Sequence, residues 1–266
     1  MPAEVLTCRY NAQTHPGLLR ENNEDAFSID EPTGVAVLAD GMGGYNAGEI
    51  ASSMAATLIS KEMARWLALA GDAASVQDIR RALEICVSNA NYAVYKAANE
   101  NSQYAGMGTT LVAGVFRANN LVLGHIGDSR CYRMRAGVMV QLTRDHSLLQ
   151  EQIDAGLLTP EQAAQSLNKN LVTRALGVEE SVLLEVHEYR AEPGDLYLMC
   201  SDGLSDMVND QDIAAALRQE APLAERAGTL VQLANARGGR DNITVLLVET
   251  EAEAERRGLM ARLLGK

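Results

Sequence analysis

Hydrophobic positions change their period several times along the chain. The N-terminal pieces EVLTCRY, AFSID and VAVLA are short and rich in β-formers, which predicts strands. Then the period lengthens. Ile50, Met54 and Leu58 recur every fourth residue, and Met63 and Leu67 continue that face, as a helix does. A second helix is predicted after Gly71–Asp72, with Leu83, Val87, Ala90 and Val94 along one side. Ser75 and Asp78 have the spacing of its capping box. TTLVAGVF, LVLGHIG, RCYRM and VMVQL return to strand patterning, separated by turn residues such as Asn119–Asn120 and Ala136–Gly137. The polar stretch His146–Gly177 is expected to be helical, with a helix start at Thr159 (N-cap), Pro160 and Gln162. VLLEVHEY and LYLMCS are again strand-like. Helices are expected around Asp210–Gln219 and Leu223–Ala236, before a last strand, NITVLLVE.

Strand runs joined by tight turns predict antiparallel sheet, and grouped helices predict layers that cover it. The strict βαβα alternation of a parallel doubly wound fold is absent. The expected fold class is therefore α+β, a sandwich. No internal repeat or low-complexity linker divides the chain. Residues 251–266 are expected to be an exposed tail. Its Leu259, Leu263 and Leu264, with Arg256, Arg257, Arg262 and Lys266, have the pattern of a short basic amphipathic helix.

Composition narrows the function. The 266 residues are 47% hydrophobic, enough to build a sizeable core. The formal net charge of −12 argues against broad binding to nucleic acid or an anionic membrane. Cys8, Cys86, Cys131 and Cys200 are far apart and form no CxxC pair. They are expected to be four buried thiols rather than a disulfide framework or a zinc site. No stretch has the pattern of a secretory signal, and no apolar run approaches the ~18 residues that span a bilayer. A cytoplasmic protein without a membrane span is expected.

The candidate chemistry lies in carboxylates at strand ends. VAVLADGMGG ends an apolar run on Asp40, followed by Gly41. LYLMCSDGLSD repeats the shape at Asp202–Gly203, and LVLGHIGDSR ends on Asp128 beside Gly127. Asp241 stands just before NITVLLVE, and Glu24–Asp25 just before AFSID. Any one Asp-Gly pair is by itself an ordinary turn signal. Five such strand ends could meet at one edge of a sandwich, and hard divalent cations take oxygen ligands. Arg20, five residues before Asp25, has the planar fork suited to phosphate, or to a surface ion pair. Other chemistries lack their residues. A Cys-based phosphatase needs arginine six positions after its cysteine, where this chain has Thr14, Tyr92, Gly137 and Asp206. GxxxxGK[ST], GxSxG and HExxH are absent. His15, His125, His146 and His187 are scattered; each is expected to be structural, with His146 worth testing because it follows Asp145.

RENNED, LADGMGG, GTT (Gly108–Thr110), GHIGDSR, LMCSDGLSD and GGRDNITV together resemble, in order, the motifs of the type-2C metal-dependent Ser/Thr protein phosphatases (the PPM family) in their compact bacterial form. The resemblance runs from about Thr7 to Glu249. It implies two stacked antiparallel sheets flanked by helices, α-β-β-α, as one catalytic domain over residues 1–250. A flap over about 145–177 would lie beside the site and select substrates. It implies that Asp25, Asp40 and the Gly41 carbonyl bind two core Mn²⁺ or Mg²⁺ ions, with Asp202 and Asp241 completing the cage. Glu24 would act through a water. Asp128, with Asp202, would hold a weaker third ion, and Arg20 the substrate phosphate. It further implies hydrolysis of phosphoserine and phosphothreonine by direct attack of a water shared by the two ions. Phosphorylated proteins and a cognate Hanks-type Ser/Thr kinase would be the partners of a monomeric, cytoplasmic enzyme. Two positions depart from the pattern. Met42 stands where eukaryotic members often carry a histidine proposed as general acid, and a thioether has no proton to donate. Tyr45 stands where many bacterial members have histidine. A catalytically silent binding module would usually lack a core aspartate, and a nuclease or phosphodiesterase is disfavoured by the charge.

Overall fold

The computed structural model describes residues 6–43, 47–159, 162 and 171–253. Eleven strands among them form two antiparallel sheets. In the first, β1 (Leu6–His15), β11 (Ile243–Ala252), β10 (Leu196–Cys200), β7 (Arg130–Arg135) and β8 (Val138–Gln141) lie side by side in that order. In the second the order is β2 (Asp25–Asp30), β3 (Val35–Met42), β5 (Leu111–Arg117), β6 (Asn120–Ile126) and β9 (Glu185–Arg190), with the short β4 (Gly108–Thr109) pairing the end of β3.

The sheets stack, and helices cover both outer faces. Helices α1 (Ala47–Ala70) and α2 (Val76–Glu100) bury Ile59, Met63, Leu83 and Val87 against Val35, Val37, Leu111 and Val115 of the second sheet. The first sheet is covered by α5 (Asp210–Leu217) and α6 (Leu223–Ala236), with α4 (Asp202–Ser205) at its edge. A separate apolar layer between the sheets holds Leu38, Phe116, Leu123, Tyr197, Met199 and Leu246. This is the expected α-β-β-α sandwich. It explains why VAVLA is apolar throughout: Val35, Val37 and Ala39 face the helices, while Ala36 and Leu38 face the other sheet. Strands covered on both faces lose the usual alternation of apolar and polar residues.

The same parity positions the chemistry. Side chains two apart on a strand share a face, so Asp40 lies on the inter-sheet face with Ala36 and Leu38. Asp25 is its direct partner across β2 and β3. Both carboxylates therefore belong to the end of the layer between the sheets.

Several expectations need correction. Asp25 opens β2 and β3 runs on through Met42, so these acids lie within paired strands rather than beyond them. The run TTLVAGVF is broken at Thr110: its N–H still donates to the Asp40 carbonyl, but the Asp40 N–H donates to Thr110 Oγ1 in place of the Thr110 carbonyl. Val182–Leu184 lie outside β9. β11 extends through Glu251 and Ala252, paired to Thr7 and Leu6, because β1 is long enough to continue the ladder; the tail does not begin at 251. Residues 254–266 and Tyr45 lie outside the described residues. His146–Gly177 is not helical throughout. Its described helix is α3 (Leu148–Asp154), and by 171–176 the chain is extended, bridging Val172 to Ser147 and Leu176 to Thr109. The reciprocal bonds expected between Thr159 and Gln162 are made. Cys86, Cys131 and Cys200 are buried, whereas Cys8, on the edge strand β1, is only half-buried.

Ser75 and Asp78 form the predicted capping box of α2. Ser75→Ala is expected to cost about 1 kcal/mol, read as a lower urea midpoint, with catalysis unaffected because the cap is exposed and belongs to α2's outer end.

Candidate metal centre

Asp25 is held by both sheets. Its Oδ2 accepts hydrogen bonds from Ser201 Oγ at 2.8 Å and Thr244 Oγ1 at 2.6 Å. Thr244 also meets Thr14 on β1, Oγ1 to Oγ1 at 2.7 Å. The other oxygen, Asp25 Oδ1, is buried and has no hydrogen-bond partner. Asp40 is held through its backbone. Its N–H donates to Thr110 Oγ1 at 3.0 Å, and its carbonyl accepts from Thr109 Oγ1 and the Thr110 N–H at 2.9 and 2.8 Å. Thr110 Oγ1 in turn contacts Ser129 Oγ at 2.8 Å, beside Asp128. GTT and GDSR are thus two halves of one clamp on the end of β3.

Gly41 must be glycine for want of space. A Cβ there would lie 2.2 Å from the Gly48 carbonyl oxygen and 2.6 Å from that of Glu24. Gly203 is equally confined, 2.0 Å from the Asn242 carbonyl oxygen. These glycines let chain segments cross at backbone distance.

The loop with Arg20 and Glu24 is organised by Asn242, a residue the sequence reading did not select. Its Nδ2 donates to the carbonyls of Pro16 and Asn22 at 3.0 and 2.8 Å, and its Oδ1 accepts the Glu24 N–H at 2.7 Å. Arg20 Nη2 meets Asp241 Oδ2 at 2.7 Å, and the arginine side chain is 52% exposed. Its guanidinium therefore sits at the rim with donors to spare.

The fold crowds these acids together. Burial pushes the Asp25 carboxyl up to about 6, against the Thr244 and Ser201 hydroxyls that favour its charge. Burial raises Asp40 well above the ordinary carboxylate range, and Asp25, Asp202, Asp128 and Asp241 add to it. Asp202 is raised in the same way, by burial and then by Asp128, Asp206, Asp241 and Asp25. Asp128 reaches about 6 through burial and then Asp145. Glu24 is raised by burial, with Arg20 opposing. All the sequence-predicted carboxylates fall into one mutually repelling group. Asp206, four residues after Asp202, joins it; the second acid of SDGLSD is the signal that could have found it. An oxygen-only donor set, an orphaned buried carboxylate oxygen and strong like-charge repulsion fit hard divalent cations such as Mn²⁺ or Mg²⁺.

A protein phosphatase 2C family description matches residues 20–247. The chain belongs to the protein phosphatase 2C family. It is 37% identical over 240 residues to the serine/threonine phosphatase Stp of Listeria innocua, covering 89% of this chain and 94% of that protein. The Mycobacterium tuberculosis serine/threonine phosphatase PstP superimposes with a TM-score of 0.83 at 39% identity, over 93% of this chain and 99% of that one. The PstP catalytic domain in complex with two manganese ions gives a TM-score of 0.79 at 39% identity, over 92% and 99% of the two chains. The sandwich of this phosphatase 2C chain is thus the architecture of those enzymes.

His146 is buried and bonded through both ring nitrogens. Its Nδ1 accepts the Gly127 N–H at 3.0 Å, so the neutral ring carries its proton on Nε2, 3.2 Å from Glu185 Oε2. His125 stacks on it, ring centroids 4.7 Å apart. His125, His146 and Glu185 bring possible ligand atoms within 4.8 Å of one another. A protonated Nε2, with Arg174 Nη1 3.1 Å away, does not suit a cation. The group ties His146, at the start of the stretch 146–159, to β9.

A carboxyl raised by the fold holds its proton more tightly when folded. Its contribution is fully present below the unfolded value of about 4 and is lost as pH rises through the raised folded value, which is about 6 for Asp25 and well above the ordinary carboxylate range for Asp40. In metal-free protein at pH 7.5, Asp40→Asn is therefore expected to raise the melting temperature, by roughly 2–4 °C for each kcal/mol of repulsion relieved. The same change is expected to abolish the stabilisation that Mn²⁺ gives the wild type. Thermal melts with and without Mn²⁺ check both.

Proposed function

We propose that this phosphatase 2C chain hydrolyses phosphoserine and phosphothreonine on other proteins with two Mn²⁺ or Mg²⁺ ions. Asp25, Asp40, the Gly41 carbonyl, Asp202 and Asp241 would hold them. The observation that carries this reading is the pairing of Asp25 with Asp40 across β2 and β3, in the field of Asp128, Asp202 and Asp241. When bound, two such ions activate a shared water near neutral pH and neutralise phosphoryl oxygens.

The chain's own residues do the rest. Arg20 offers its fork to the non-bridging phosphoryl oxygens from the rim, where the bond to Asp241 orients it. Glu24 reaches the centre through a water, its backbone fixed by Asn242, Gly41 and Ser52. Asp128, with Asp202, supplies a weaker third site. Met42, a thioether, has no proton to give the leaving alkoxide. A cysteine nucleophile is disfavoured: burial pushes the thiols of Cys86 and Cys200 up to about 12 and that of Cys131 higher still.

The catalytic unit includes all of β11, through Ala252. Because the substrates are phosphorylated on serine and threonine, a Ser/Thr kinase supplies them and is the opposing partner. No helix among the described residues is long and apolar enough to cross a membrane, and we place the enzyme in the cytoplasm as a monomer.

Hydrolysis of a phosphothreonine peptide and of p-nitrophenyl phosphate is expected to require Mn²⁺ and to stop with EDTA. Asp202→Asn should lower kcat by about 10³-fold or more. Arg20→Ala should raise KM for the peptide, and Arg20→Lys should restore only part of the loss because a point charge lacks the bidentate fork. Undiminished turnover after stringent metal removal overturns the reading.

A further inference from the structure

Met42 follows Gly41 at the end of β3 and lines a cavity of about 740 Å³. The opposite wall is the stretch 172–183, with Val172, Ala175, Val178, Val182 and Leu183 providing apolar surface and Arg174 and Glu179 its charges. Val178 and Leu183 are 51% and 73% exposed, unusually open for such side chains.

The wall is held in place from behind. Asn91, fully buried on α2, directs its whole amide at this segment. Its Nδ2 donates to the carbonyls of Glu179 and Glu180 at 3.0 Å each, and its Oδ1 accepts the Gly177 N–H at 2.7 Å. Gly177 takes φ +88°, and a Cβ there would strike Val94 at 2.3 Å. Leu176 exchanges two backbone hydrogen bonds with Thr109, and Arg174 Nη1 donates to the Leu183 carbonyl at 3.3 Å. At the floor, both Met42 and Val178 pack over Gly108, where a Cβ would meet Val178 Cγ2 at 2.7 Å. The cavity is pre-formed, and its size is that of a peptide or small-molecule site.

We propose that this cavity receives an apolar side chain of the phosphoprotein substrate, two or three residues from the phosphorylated one. The inference rests on the phosphatase reading above and adds a specificity site to it. Its geometry follows from β3. Met42 lies two strand residues beyond Asp40, roughly 7 Å, the step an extended substrate takes in two residues. A substrate with its phosphate at the carboxylate centre therefore carries its neighbouring side chains over Met42 and into the apolar wall. The occupant is apolar because Val178 and Leu183 present exposed hydrocarbon at the mouth beside the half-buried Met42, while the surrounding centre is strongly acidic.

The test uses two phosphothreonine peptides that differ only in Leu or Ser at the second and third positions on either side. The wild type is expected to favour the Leu peptide by about tenfold or more in kcat/KM. Leu183→Asp, which makes the mouth polar, and Ser181→Trp, which fills it, are each expected to bring that ratio near one. Fluorescence anisotropy of the same peptides carrying a non-hydrolysable phosphonate in place of the phosphate should show the same preference, and its loss, in Kd. A wild-type ratio near one, or a ratio retained in both variants, overturns the proposal. Failure to hydrolyse p-nitrophenyl phosphate with Mn²⁺ counts against the phosphatase reading instead, and the anisotropy arm still decides the subsite.

Discussion

Two carboxylates facing each other across adjacent antiparallel strands repel, and Asp25 and Asp40 are so placed at the buried end of a β-sandwich. Burial and like charge both disfavour their ionised forms, and Asp128, Asp202 and Asp241 deepen the effect. A fold that existed only to be stable would not retain this arrangement, since isosteric amides would relieve it. The polar apparatus around it holds the charges in place. Hydroxyls of Ser201 and Thr244 grip one oxygen of Asp25 and leave the other bare. Under the proposed ligand set the oxygens that repel one another would be the ligands, which would link cation binding to folding.

Small residues make this compression possible. Thr109, Thr110 and Ser129 clamp the backbone around Asp40, so its position does not depend on its own carboxylate finding a partner. Gly41 and Gly203 let neighbouring segments approach to distances that exclude any Cβ. Asn242 collects Pro16, Asn22 and Glu24 into the loop that carries Arg20 to the rim. Charge sits at the centre, hydroxyls and amides around it, and hydrocarbon on all three core layers behind.

The stretch that begins at His146 joins this body through a second polar group. The His146 N–H donates to the Gly127 carbonyl and the His146 ring accepts the Gly127 N–H, which ties that stretch to the turn before Asp128. Glu185, held low at about 2 by His187 and His146 in spite of burial, anchors that group to β9. Farther along, Asn91 and Thr109 fix the returning chain beside Met42. The walls next to the carboxylates are thus built from the same buried amides and backbone ladders as the core.

The residues of the site were largely legible in the sequence, because an apolar strand that ends on Asp next to Gly is a local pattern. Strand and helix order was legible for the same reason, and the capping box at Ser75 was readable residue by residue. Asn242 and Asn91 were not, since an asparagine that ties backbone segments together looks like any other until those segments meet. The polar stretch His146–Gly177 misled because its composition favours helix, whereas its far end is held by backbone hydrogen bonds to His146, Leu148 and Thr109. The sequence by itself determined that β3 is buried on both faces and which carboxylates exist. Only the tertiary structure decided that Asp40 faces the opposing sheet, that its neighbours crowd against it, and that Met42 opens into a cavity. Those facts depend on which strands pair and in what register, and pairing across a hundred or more residues leaves no local trace.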